Sequence, residues 1–138
     1  MKKITIDNKA FFSPLIEFLN EGKAVELTVK GHSMLPFFKH EKTQVTLKKQ
    51  PQYKHLDVVL AYDENRYVLH RIIKIKGDTM TLKGDGAFSK EVVSVHDIFG
   101  KVITYKDKQK LKTPYGFKVH VWLFLTPIRR ILLKLVRR

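Results

Sequence analysis

Along residues 8–21 the apolar positions Phe11, Phe12, Leu15, Ile16 and Leu19 recur three and four apart, which predicts a short helix. Asp7 is placed to cap it and Gly22 to follow its end. Pro14 fits such a helix if the helix proper starts near Ser13, where a missing N–H costs nothing. Beyond Gly22 the apolar period changes from three or four to two. Six segments then read as strands: 24–30, 43–49, 57–62, 66–75, 79–83 and 97–105. Turn-forming residues connect them, with "DEN" at 63–65, "KGD" at 76–78 and "GDG" at 84–86. The pattern predicts a mainly β fold, a small antiparallel sheet or barrel behind one N-terminal helix. Residues 106–116 are polar and basic and read as a linker or surface arm. After Pro127, Ile128, Ile131, Leu132 and Leu135 line one helical face, while Arg129, Arg130, Lys134, Arg137 and Arg138 lie largely elsewhere. The expected organisation is a β domain with its helix over 1–105, then a basic linker and C-terminal amphipathic helix over 106–138.

Composition narrows the chemistry. With 138 residues, 43% of them hydrophobic, the chain suits one domain with a real core. It has no cysteine, which excludes disulfides, thiolate metal sites and cysteine nucleophiles. The net charge is +14, but eleven Lys and Arg against the single acid Asp107 place +10 of it in residues 101–138. The apolar run before Pro127 is too short to cross a bilayer, and residues 1–22 read as neither signal peptide nor membrane span. The expected location is the cytoplasm or the periphery of a membrane. Residues 119–138, with Trp122, Phe124 and several leucines among basic residues, are candidates for lying on an anionic membrane surface. A helix packed on the core with a solvated basic face is the alternative. Nucleic acid is disfavoured, because the chain carries no base-reading motif and its basic residues are interleaved with aliphatic ones.

The stretch "VKGHSMLPFF" at 29–38 places one hydroxyl, Ser33, at a break between apolar segments. Serine is a poor nucleophile until a neighbouring base takes its proton. Gly31 permits an unusual turn and a close backbone approach, and the N–H groups of Ser33 and Met34 are candidate donors to an oxyanion. Of the six histidines, His70 stands mid-strand in "YVLHRIIKI", sharing a face with Val68 and Ile72. Among apolar neighbours it is a candidate base, and a half-exposed strand histidine is the plainer alternative. Asp85, in the Gly-Asp-Gly turn, and Glu91 are the acids that could orient its ring; the turn aspartate also has an ordinary structural reading. Lys74, four residues on, is a poorer base.

The order of these pieces, Gly31-x-Ser33-Met34-x-Pro36, "LDVVLAY" from Leu56, "VLHRIIKI", "LKGD" and "HDIFGKV", resembles the signal peptidase I family and, more broadly, the signal peptidase and LexA-type serine proteases. The resemblance covers roughly residues 24–105. It implies that Ser33 is the nucleophile and His70 the general base, where most bacterial members and the repressors have lysine. The histidine version is that of the endoplasmic-reticulum, archaeal and sporulation-type enzymes. Asp85 matches the family's Gly-Asp and is the preferred third residue; Glu91 and Arg71 are secondary candidates. The chain departs from the family in having Gly31 where many signal peptidases have Ser or Thr, Leu56 where they have Gly, and no apolar anchor ahead of the β domain. The resemblance implies a serine endopeptidase that removes a leader or signal segment from a peptide bound as an extra strand along 24–30 or 67–70, with no metal and no cofactor. The alternative is a non-catalytic peptide- or membrane-binding module on the same fold.

Overall fold

The structure is a computed structural model that describes residues 9–107 and 110–124. It is mainly β: an antiparallel sheet curls into a half-barrel flanked by short helices. Helix α1 spans Lys9–Asn20, then come strands β1 (Val25–Thr28), β2 (Gln44–Lys48), β3 (Val58–Asp63), β4 (Arg66–Lys76), β5 (Thr79–Lys83), β6 (Glu91–Ser94), β7 (Ile98–Asp107) and β8 (Lys110–Lys112), and last helix α2 (Phe117–Phe124). The order across the sheet is β1-β2-β7-β3-β4-β5-β6, with β8 pairing β7.

Both faces of the central strands are buried. Val58 and Leu60 of β3 and Leu69 of β4 join Phe12, Leu15 and Leu19 of α1 in one core. The alternate residues Val59, Ala61, Val68 and Ile72 pack with Met80, Leu82, Val93 and Ile98 in a second core on the other face. A strand buried on both sides loses its polar positions, which is why "DVVLAY" reads as a continuous apolar run.

Four sequence expectations change. The helix expected over 8–21 is present as Lys9–Asn20, but it starts ahead of Ser13 and so holds Pro14 inside it; the buried apolar face of Phe12, Leu15 and Leu19 outweighs one missing backbone bond. Residues 91–94 form a sixth-in-order strand that the pattern did not reveal, because only Glu91 and Val93 turn inward. The segment from 106 is no linker. β7 runs to Asp107, β8 pairs back onto it, Tyr115 donates its hydroxyl proton to the Val102 carbonyl at 2.9 Å, and α2 packs on the β domain. Trp122 is 6% exposed and packs on Leu35, so it is unavailable for insertion into a membrane. The amphipathic helix expected after Pro127 and the Asp7 cap lie outside the described residues. Among the described residues no helix is long and apolar enough to cross a membrane.

Candidate active site

Ser33 lies in an irregular loop between β1 and β2, and the loop is fixed from both ends. Gly31 adopts φ +93, a conformation that side chains rarely tolerate, and its N–H donates to Nδ1 of His40 at 2.7 Å. The His40 proton therefore sits on Nε2, 3.1 Å from a Glu41 carboxylate oxygen. The expected role of Gly31 in the turn fits this geometry, but its N–H is already used and is not an oxyanion donor. Met34 and Leu35, just past the serine, are buried.

The turn at 84–86 forms the floor beneath Ser33. The Gly86 N–H donates to the Ser33 carbonyl at 2.7 Å. A Cβ placed on Gly84 would stand 2.2 Å from the Ser33 carbonyl oxygen and 3.0 Å from the Ser33 Cβ; one on Gly86 would stand 2.7 Å from the His32 carbonyl oxygen. Both glycines are thus required by contact. The sequence showed them as turn residues, with nothing to say what they touch.

Register ties this loop to His70. β4 and β5 pair Ile72 with Leu82 and Arg71 with Lys83. β5 ends there, and the same register carried one residue further would bring Gly84 toward His70, on the same face. Opposed Cβ positions lie about 5 Å apart, so this register would bring the Ser33 loop near the His70 side of the sheet. Among the described residues no hydrogen bond yet joins the Ser33 hydroxyl to His70.

His70 is 5% exposed. Its Nδ1 contacts Oε1 of Glu91, whose side chain reaches across from β6 and is itself buried; Arg66 lies 3.7 Å from the other Glu91 oxygen. With Nδ1–H donating to the carboxylate, Nε2 is left as the acceptor. Asp63, at the end of β3, adds a further acid here. Its carboxyl pKa is raised, chiefly by loss of water and then by the charges of Glu64 and Glu91, with Arg66 and His70 opposing.

The preference for Asp85 as the residue that orients His70 is therefore corrected. Asp85 is bound by Arg71 through two parallel bonds, Nε to Oδ1 at 2.8 Å and Nη2 to Oδ2 at 2.7 Å. Arg71 Nη1 also donates to the carbonyls of Leu56, at 2.9 Å, and Pro114, at 2.7 Å. Successive strand residues face opposite ways, so His70 and Arg71 serve opposite sides of the sheet and their acids differ accordingly. Lys74 is exposed and lies past the β4 register shift between Ile72 and Lys74, away from His70.

A cavity of about 280 Å³, lined among others by Pro36, Phe37, Tyr105, Lys112 and Trp122, includes neither Ser33 nor His70. Sequence reasoning missed His40 and Trp122. No local motif marks His40, whose partner is nine residues upstream, and the aromatic cluster around Trp122 reads equally as a surface anchor. No protein-family model matches the chain, and no curated protein matches it.

Proposed function

We propose that the protein is a serine endopeptidase resembling the signal peptidase group, with Ser33 as nucleophile, His70 as general base and Glu91 as the acid that orients the imidazole. The carrying observation is that the Ser33 backbone rests on Gly84, one residue past the β5 end that pairs with Arg71, the neighbour of His70, while Glu91 occupies Nδ1 so that Nε2 is left to accept a proton. The reading requires the Ser33 hydroxyl to close on Nε2 when substrate enters, as catalytic hydrogen bonds are often long in the free enzyme. In the reaction Nε2 takes the Ser33 proton, Oγ bonds to the scissile carbonyl carbon, and the imidazolium returns its proton to the leaving amine. Water, deprotonated by His70, then releases the acyl group.

Two further features support this reading. Among the described residues the N–H groups of Ser33 and Met34 have no acceptor. Met34 is buried and Ser33 half-buried, and two adjacent open donors beside the proposed nucleophile suit a developing oxyanion. Leu56 adopts φ +76, a left-handed conformation natural to glycine, at the position where the resemblance leads one to expect glycine.

The substrate would enter as a strand. Ile72 uses its N–H and carbonyl toward Asp57 and Leu56, on the β3 side. By alternation Leu69 turns its backbone groups the other way, where β5 pairing has not yet begun, since β5 ends opposite Arg71. A peptide laid beside 67–69, beyond the end of β5, would run up to His70, which favours this segment over the outer edge of β1. The test is cleavage of a peptide library by wild type, Ser33→Ala and His70→Ala. Loss in both variants with unchanged circular dichroism supports the assignment. No cleavage by wild type, or equal cleavage by all three, leaves a non-catalytic peptide-binding module.

A further inference from the structure

The turn that carries Ser33 is held from an unexpected direction. Helix α2 places Trp122 against Leu35, two residues past Ser33, and aims its indole N–H at the Asp85 carbonyl, 2.6 Å away. Asp85 is the centre of the turn on which Ser33 rests. Its N–H meets the Met34 sulfur at 3.3 Å, its carboxylate is locked by Arg71, and the next residue, Gly86, donates to the Ser33 carbonyl. Trp122 therefore touches the nucleophile loop on one side through Leu35 and the supporting turn on the other. Both Trp122 and Asp85 are buried, so no water stands ready to replace the bond.

We propose that Trp122 is a positioning residue for Ser33: its indole N–H pins the 84–86 turn, and through it α2 sets where the serine stands relative to His70. The arrangement makes the nucleophile depend on a helix about ninety residues later in the chain. The kinetic part of this inference rests on the endopeptidase reading; the structural part does not.

The test uses the full chain and Trp122→Phe, which keeps an aromatic ring against Leu35 and removes the N–H. Amide hydrogen exchange reports the turn directly. Gly86, bonded to the Ser33 carbonyl, should exchange about tenfold faster in the variant, while Ile72, bonded to Asp57, keeps its wild-type rate. In cleavage assays kcat should fall about tenfold or more with KM within about twofold, since a misplaced nucleophile slows chemistry and leaves binding intact. Equal acceleration at Gly86 and Ile72 means that Trp122 merely stabilises the whole fold, and overturns the proposal. So does an unchanged Gly86, or an unchanged kcat despite a loosened turn. If wild type cleaves nothing while Gly86 alone accelerates, the endopeptidase reading falls and the Trp122 clamp on the serine turn stands. Should the phenylalanine variant fail to fold, benzothienylalanine at 122 replaces the N–H by sulfur at nearly constant shape and gives the same readouts.

Discussion

Replacing Gly84 by alanine tests the contact on which the site depends. The added methyl carbon would lie 2.2 Å from the Ser33 carbonyl oxygen and 3.0 Å from the Ser33 carbonyl carbon and Cβ. Ordinary contact is near 3.5 Å, so the serine backbone must retreat by about 1 Å. The obstacle is backbone, held by Gly86 on one side and by buried Met34 and Leu35 on the other, and it cannot rotate away as a side-chain tip would. Overpacking of this kind costs about 1–3 kcal/mol. A glycine-to-alanine change returns about 0.4–1 kcal/mol by restricting the unfolded chain. The expected net loss is about 1–2 kcal/mol, a fall in melting temperature of several degrees. Activity should suffer more than stability, because a 1 Å misplacement of a reacting group costs about 10²-fold in rate. The assays are urea unfolding and kcat on a cleavable peptide, with Gly77→Ala as control. Gly77 sits in a hairpin at φ +60 with open space around it, so its variant should lose stability through backbone strain and keep its kcat. A Gly84→Ala protein as stable and as active as wild type would refute both the packing argument and the placement of Ser33.

Glu91→Ala and Asp85→Ala should fail differently. The first leaves the His70 ring unoriented and lowers kcat by about 10²–10⁴-fold in kinetic assays, whereas the second strands the fully buried Arg71 charge and costs about 3–5 kcal/mol in urea unfolding. At Leu56, in the turn before β3, φ +76 predicts that Leu56→Gly is more stable than Leu56→Ala by about 1 kcal/mol in thermal melts. The Tyr115 phenol is pushed above its ordinary pKa of 10.0, first by burial and then by the nearby Asp57 charge, with Val58 and Arg71 opposing. A raised folded pKa gives stability that is complete below the unfolded value and lost as pH climbs toward the folded one. Urea midpoints measured from about pH 9 to 11 should fall in wild type, and fall less steeply in Tyr115→Phe.

The pattern of apolar runs and apolar alternation located every long strand: β3 and much of β4 are buried on both faces and read as runs, while β2, β5 and most of β7 alternate. It failed at β6 and β8, which are short, and at 106–124, where basic residues cover a segment whose inward contacts are single: the Tyr115 hydroxyl, the Pro114 carbonyl and the Trp122 indole. Charge counted along a chain does not report such contacts. The residues carrying the candidate chemistry were all legible as types in the sequence. Their partners were not. Asp85 and Glu91 lie six apart on the two sides of the β5–β6 connection, and which of them meets His70 follows from strand parity and pairing register, both of which appear only once the sheet is assembled.

The supports around Ser33, the proposed nucleophile, come from several elements at once. A serine on a connecting segment has no ladder of its own, and catalysis tolerates roughly 0.5 Å of error. Here the precision comes from four separate parts of the chain. His40 fixes the turn at Gly31, the 84–86 turn fits beneath the serine with no room for a side chain, Arg71 ties that turn to Leu56 and Pro114, and Trp122 closes it from α2. Each bond alone is worth about 1 kcal/mol, but they share members, so loss of one loosens the others. Double substitutions within this set, such as Trp122→Phe with Met34→Leu, should therefore depart from additivity in unfolding free energy, while Trp122→Phe combined with a change at Val25, on the far edge strand, should add. Strict additivity for the first pair would mean that the supports act independently and that no single network positions the serine.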